Sequence, residues 1–350
     1  MKIAYVCYWD ARRRDGVGDK IASQLAAWRA AGETAELFLL SPPPAAGASL
    51  NLQGQVFMFS GARERIAATR RLYAAVRNYR PDVVYLRYDL FVPPPSALAR
   101  HARTVVEVNS NARAELGERS RWAARYERLQ ERALLRRAAG AVCVTHELAA
   151  SITQRAPALP VRVIANGIEF AGIRPLPAPA AAGIRLVYLG DDVYWQGVDK
   201  LFALADLTPD WQFDLIGVAE SRSRGNVTCH GFLGAEQYEP ILARADIAVG
   251  TLALYRKQME EACALKVRRY LAYGLPVLLG HVDTDFIGRD PWFLLRLPNT
   301  EANVATGLDR IREFARAVKG RRVERSEVEP VLSVAAKEAE RLAFIRELTM

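Results

Sequence analysis

Short apolar runs recur along this chain with amphipathic stretches of helical spacing between them. The pattern occurs twice, in halves separated by the proline-broken tract PLPAPAAAG at residues 175–183. Strand candidates in the first half are residues 2–7, 35–40, 83–86, 104–108, 141–144 and 161–164; in the second they are 184–189, 213–216, 227–229, 247–249 and 277–279. Such short, largely apolar runs suit strands buried on both faces, as a parallel sheet requires. Strands alternating with helices predict an α/β chain of two doubly wound parallel sheets. Ligands of such sheets bind beyond the carboxyl ends of the strands, so the expected site is a cleft between the two domains. Residues 334–348 carry one further helical pattern, and at 350 residues, half of them apolar, the chain is long enough for two cores.

The net charge of +9 is concentrated in the first half. Met1 to Phe170 carry 25 Lys and Arg against 15 Asp and Glu, while the remainder carries 23 against 24. Two segments of helical spacing, residues 63–80 and 119–137, interleave arginines with apolar and aromatic residues. These read either as ordinary amphipathic helices with solvated faces or as a surface for anionic lipid. Nucleic acid is set aside as a partner, because no DNA- or RNA-binding motif accompanies the charge. Cys7, Cys143, Cys229 and Cys263 are scattered without the spacing of a zinc site or a disulfide framework. The four histidines, His101, His146, His230 and His281, are equally dispersed, so no metal is expected. The N-terminal apolar run is broken at Asp10, and no run approaches the length of a membrane span. The expected location is the reducing cytoplasm, with attachment to the inner membrane face as an option.

The most informative segment is EACALKVRRYLAYGLPV, residues 261–277. Glu261 precedes apolar residues at Leu265, Val267, Tyr270 and Leu271, the recurrence of one helical face, which Gly274 ends before a buried strand. A helix N-terminus presents unpaired N–H groups and partial positive charge, a seat for a diphosphate to which Lys266 adds a full charge. In the first half, Gly16 and Gly18 follow the first strand and leave room for close approach of the backbone to a ligand. Asn109 and Arg87 stand just past strand ends, where ligand-facing residues belong.

These features together, with the turn VIANGIE at residues 163–169, the segment LVYLGDDVYWQGVDKLFALA at 186–205, and NVTCHGFL and ADIAVGTLALYRK after it, give the chain a resemblance that covers nearly its whole length. It resembles the retaining glycosyltransferases of family 4, which have the GT-B fold of two facing Rossmann-like domains. The resemblance implies an acceptor-binding domain over residues 1–168, a domain for the sugar nucleotide over 169–331, and a C-terminal helix, 332–350, that returns to the first domain. It further implies a metal-independent hexosyl transferase without a cofactor, in which Glu261 holds sugar hydroxyls, Lys266 and the helix N-terminus hold the diphosphate, and Asn109 approaches the sugar or the acceptor. Gly16, Gly18, Gly190, Arg256, Lys257, Leu265 and Arg269 would line the nucleotide. The implied acceptor is a glycan or a polyprenyl-linked glycan of cell-surface polysaccharide assembly.

The chain departs from the family at the charged positions. A second glutamate expected eight positions after Glu261 is Arg269, which cannot accept hydrogen bonds from a ribose. The arginine and lysine that usually meet the diphosphate near the first strand of the second domain are replaced by Asp191 and Gln196. Arg256, Lys257 and Lys266 are therefore the expected replacement cations. The same departures leave two alternatives: a catalytically degenerate partner subunit, or a GT-B sugar-nucleotide epimerase. Asp283-Thr284-Asp285 is similar to the paired aspartates of metal-dependent glycosyltransferases, but its place after a strand points to a loop or cap.

Overall fold

The structure is a computed structural model that describes residues 1–10, 16–44, 52–111, 121–179 and 183–349. The chain forms two compact units, Met1–Gly167 together with Val334–Met350, and Ile168–Ser333.

In the first unit the elements run β1 (Lys2–Tyr8), α1 (Gly16–Ala30), β2 (Thr34–Ser41), β3 (Gln55–Met58), α2 (Ala62–Tyr79), β4 (Val83–Arg87), β5 (Arg103–Val108), α3 (Arg121–Leu135), β6 (Gly140–Cys143), α4 (His146–Arg155) and β7 (Val161–Val163). The strands form one parallel sheet in the order β3-β2-β1-β4-β5-β6-β7. Ile3 to Cys7 of β1 are fully buried, as a central strand covered on both faces must be. On one face, Ile3, Tyr5 and Cys7 pack with Ile21, Leu25 and Trp28 of α1. The last helix of the chain, of which Val334–Thr349 are helical, adds Leu342, Phe344 and Ile345 to this same core. It is pinned there by the Trp28 indole, which donates to Glu338 at 2.8 Å.

The second unit contains β8 (Arg185–Leu189), α5 (Val198–Leu207), β9 (Gln212–Ile216), β10 (Val227–Cys229), α6 (Ala235–Arg244), β11 (Ile247–Val249), β12 (Glu261–Ala262), α7 (Leu265–Ala272), β13 (Val277–Leu279), β14 (Val282–Asp283), β15 (Leu294–Arg296), α8 (Asn303–Thr306), α9 (Leu308–Val318) and α10 (Arg325–Leu332). Its six-stranded parallel sheet has the order β10-β9-β8-β11-β13-β15, and β12 pairs separately with β14. Leu186 and Tyr188 face one core with α5 and α9, while Val187 faces the other with α6, α7 and α10, which is the period-two alternation of a pleated strand. By this numbering the chain-terminal helix Val334–Thr349 is α11.

Both sheets reverse their winding beside their first strand, between β1 and β4 in one unit and between β8 and β11 in the other. At such a point the helices leave to opposite faces and a crevice opens at the carboxyl ends. The α/β expectation of two doubly wound parallel sheets is borne out. Two edge strands, β3 and β15, and the small β12–β14 pair were not anticipated. Among the described residues no helix is long and apolar enough to cross a membrane, and the four cysteines are free and buried.

Candidate functional site

In the second unit, the turn after β8, the loop after β11 and the N-terminus of α7 meet at the switch point. Lys266, second residue of α7, lays its ammonium over the Tyr188 ring at 4.0 Å and donates to Gln196 Oε1 at 2.9 Å. Gly190 makes room for it: a Cβ there would lie 2.5 Å from Lys266 Nζ, and the residue has φ of 154°, a conformation other residues avoid. Thr251, at the end of β11, donates to the same Gln196 oxygen at 2.9 Å. Both bonds turn the oxygen of the amide inward, so its NH₂ is the group left to meet a ligand. His281 donates from Nδ1 to the Thr251 carbonyl at 3.0 Å, and its buried Nε2 has no partner. That arrangement requires the proton on Nδ1, in keeping with the burial that lowers the imidazole pKa.

Charge at this point is unbalanced. Arg256 donates to both oxygens of Asp199 at 2.8 and 2.7 Å and also meets Glu301 at 3.2 Å. Arg268, fully buried on α7, is held by Asp283 and Asp285. Lys266 pairs with no carboxylate among the described residues. Burial lowers its pKa to about 7, against a weaker opposing pull from Asp191. A buried cation without a counter-ion is stabilised by any anion that enters. No side chain caps the N-terminus of α7, which opens beside Lys266, although the Val267 N–H already donates to the Ala264 carbonyl at 3.0 Å.

The sequence-derived residues are distributed as follows. Lys266, Leu265 and Gly190 come together at the switch point, with Leu265 opening α7. Glu261 does not lie at a helix start. It is buried on β12, its backbone paired in register with Val282, and the helix begins only at Leu265, because Ala264 is still extended. The N–H groups that follow Glu261 directly are thus not those of a helix N-terminus. Arg256 does not offer an open cation, since two carboxylates hold it in the short 3₁₀ turn Leu254–Lys257. Lys257 lies over the Trp195 ring at 4.9 Å. Arg269 donates to the Tyr238 hydroxyl at 2.6 Å. Asp283 caps the 3₁₀ turn Thr284–Phe286 by accepting from the Asp285 N–H, and its remaining capacity goes to Arg268. The two aspartates therefore serve as a cap and a clamp on α7, as their place after a strand suggested.

In the first unit the carboxyl ends of β4 and β5 hold a second polar cluster. Lys20 of α1 donates to Glu107 at 2.9 Å and to Asn109 Oδ1 at 2.7 Å. Arg87 donates to the other Glu107 oxygen at 3.5 Å, and Arg341 of α11 approaches the oxygen held by Lys20 at 3.8 Å. Burial alone would raise the Glu107 pKa, but Lys20, Arg87 and Arg341 outweigh it and hold the carboxyl well below its usual range. Burial lowers the Lys20 pKa to about 8 despite Glu107. Lys20 takes up one lone pair of the Asn109 oxygen, and the buried Asn109 Nδ2 has no partner, which leaves the amide NH₂ as a donor in reserve.

Gly16 opens α1, but Asp15 beside it lies outside the described residues. Gly18 is explained by packing, since a Cβ there would meet the Trp9 ring at 2.8 Å. Sequence reasoning missed Lys20, Thr251, His281 and Arg341. Lys20 alone left a signal, a lysine one helical turn after Gly16 among otherwise acidic and apolar neighbours.

A family model described as a glycosyl transferase 4-like domain matches residues 15–167. Among solved structures, sucrose-phosphate synthase from Thermosynechococcus elongatus is 16% identical over 99% of both chains, with a TM-score of 0.71. The lipopolysaccharide outer core galactosyltransferase WaaB in its apo form is 13% identical over 99% of this chain and 100% of its own, at 0.67. Anabaena HepE in complex with UDP and glucose is 11% identical over 99% of both, at 0.66. No curated protein matches the chain.

Proposed function

We propose, from the match of residues 15–167 to a glycosyl transferase 4-like domain and from the GT-B fold of the chain, that the protein is a retaining glycosyltransferase whose second unit binds a nucleoside-diphosphate sugar. One observation carries the reading: the buried Lys266 ammonium, without a carboxylate, stands at the switch point beside an uncapped helix N-terminus. HepE, of the same fold, is complexed with UDP and glucose, which supports the donor class.

Lys266 also answers the departures from the family. Gln196 stands where the resemblance implies a lysine, and the Lys266 ammonium lies 2.9 Å from its side-chain oxygen. The missing charge is thus restored from a neighbouring element. When the bond between sugar and phosphate breaks, negative charge grows on the leaving diphosphate. Lys266, the Gln196 NH₂ and the first N–H groups of α7 stabilise it. The acceptor hydroxyl attacks the anomeric carbon from the face the diphosphate leaves, and its proton passes to a phosphate oxygen. Glu261, buried nearby in sequence on β12, is assigned to the sugar hydroxyls, and Asn109 to donation toward the acceptor in the first unit. The acceptor is a glycan, free or lipid-linked. No step in this scheme calls on a metal.

The test is incubation with a panel of uridine, guanosine and adenosine diphosphate sugars, with and without glycan acceptors. Consumption of one donor only when acceptor is present, with the anomeric configuration kept, is the expected result. Efficient turnover of donor alone would favour the epimerase reading. Absence of both turnover and nucleotide binding would favour the partner-subunit reading.

A further inference from the structure

Helix α3 separates its charges by sign. Its acids are turned inward: Glu127 and Glu131 are 1% and 6% exposed, the first accepting from the Tyr88 hydroxyl at 2.9 Å and the second from Arg155 at 3.0 Å. Its arginines are turned outward, with Arg121, Arg125, Arg128 and Arg132 all exposed. The helical turn continues to exposed Arg136, whose N–H donates to the Arg132 carbonyl at 3.3 Å. Among these arginines stand Trp122 and Leu129, at 77% and 63% the most exposed large apolar side chains of the described residues. Trp122, Arg125, Leu129, Arg132 and Arg136 follow one another at alternating steps of three and four, which places them along one face.

An outer face without acids, carrying aligned arginines and two protruding apolar side chains, is built for a surface that is negative at its plane and apolar beneath it. We propose that this face docks the protein on a bilayer containing anionic phospholipid, with Trp122 and Leu129 inserted at the headgroup boundary. A groove of about 800 Å³ beside the helix is lined by Arg128, Arg132, Arg136 and Arg155 together with Glu131, Pro157 and Pro160; Glu131 accepts from Arg155 at 3.0 Å, and the remaining arginines suit a headgroup phosphate. The groove includes Ala139 and Pro160, which immediately precede β6 and β7. It therefore opens at the amino-terminal ends of the strands, opposite the edge that carries Lys20, Glu107 and Asn109, and lipid bound here leaves that edge open. Nucleic acid would pair with the arginines but gives Leu129 no apolar environment.

The test is sedimentation of the full chain with vesicles of phosphatidylcholine alone, or of phosphatidylcholine with about one third phosphatidylglycerol, at low ionic strength. The protein is expected to sediment with the anionic vesicles only and to be released at ~0.5 M salt. Arg125→Gln combined with Arg132→Gln, and separately Trp122→Ser combined with Leu129→Ser, are each expected to lower partition about tenfold or more, with unchanged thermal melting. Equal binding to neutral vesicles, no binding to either, wild-type partition in the arginine variant, or duplex DNA displacing the vesicles would each overturn the proposal. Transfer to a soluble acceptor is measured separately, so this outcome is independent of the catalytic reading.

Discussion

At the switch point of the first sheet, Lys20, Arg87 and Arg341 converge on Glu107; at that of the second, Lys266 stands against a tyrosine ring and an amide oxygen. The two units share a topology and place basic side chains at the same topological position. They differ in whether the chain supplies the anion. In the first unit Glu107, fully buried, is an internal counter-ion to Lys20, Arg87 and Arg341, with Glu338 as a second carboxylate on Arg341, and it ties α1, β4 and α11 to β5. In the second unit the carboxylates serve Arg256 and Arg268, and Lys266 is left with only the longer-range influence of Asp191. A doubly wound sheet supplies the crevice, and the distribution of carboxylates decides whether an anionic ligand can enter it. On the proposed function, the diphosphate belongs to the second unit and a neutral, hydroxyl-bearing acceptor to the first.

The largest effect expected from this contrast is on stability. Glu107→Gln removes the carboxylate among three buried cations and should cost about 3–5 kcal/mol, read by denaturant unfolding. A loss below about 1 kcal/mol would mean that water or relaxation solvates those cations, and the contrast between the units would fail. Next in size, Lys266→Met should lower transfer by a hundredfold or more, equivalent to about 2.7–4 kcal/mol, while leaving the melting temperature unchanged or raised. Near-normal turnover in that variant would remove Lys266 from the mechanism. Gly190→Ala sets a methyl 2.5 Å from the Lys266 ammonium and forces a residue other than glycine to a positive φ. It is expected to weaken diphosphate binding and cost about 1–3 kcal/mol in stability. The smallest effect belongs to Arg256→Ala. Asp199 and Glu301 are largely exposed, so loss of these pairs should change stability by less than about 1 kcal/mol and nucleotide affinity little. A large loss of affinity would return Arg256 to the diphosphate.

Much of the fold was legible because central parallel strands read as unbroken apolar runs. β1, β4, β5, β8 and β11 fall within a residue or two of their expected places for that reason. Two of the four edges were not legible. β3 (QVFM) is exposed or half-buried at each position and carries no apolar signature, whereas β15 (LLR) lies in the apolar run of residues 292–297, within which no turn signal sets off a strand. At the site, Lys266 and Gly190 were readable because their chemistry is local to a helix start and a strand end. The pairing of Arg256 with Asp199 joins residues far apart in sequence, and no spacing rule reports it. The same holds for Lys20 with Glu107 and for Thr251 with His281. The helical apolar period that follows Glu261 points to a helix start beside it; the β12–β14 pairing that claims its backbone is likewise non-local.

Proton uptake on diphosphate binding tests the central claim most directly. Free Lys266 has its pKa lowered to about 7 by burial, and a bound diphosphate must raise it by supplying the missing negative charge. Above pH of about 7 the free amine is mostly neutral, so binding must take up a proton, and affinity must fall as pH climbs further. Calorimetric titration of the wild-type chain and Lys266→Met with uridine, guanosine and adenosine diphosphates at a pH of about 8, in two buffers of different ionisation enthalpy, measures that uptake directly. At this pH the terminal phosphate, with a second pKa of about 6, is already ionised and adds nothing. Uptake approaching one proton is expected in the wild type and none in the variant. Binding without uptake, or the same uptake in both proteins, would overturn the role given to Lys266.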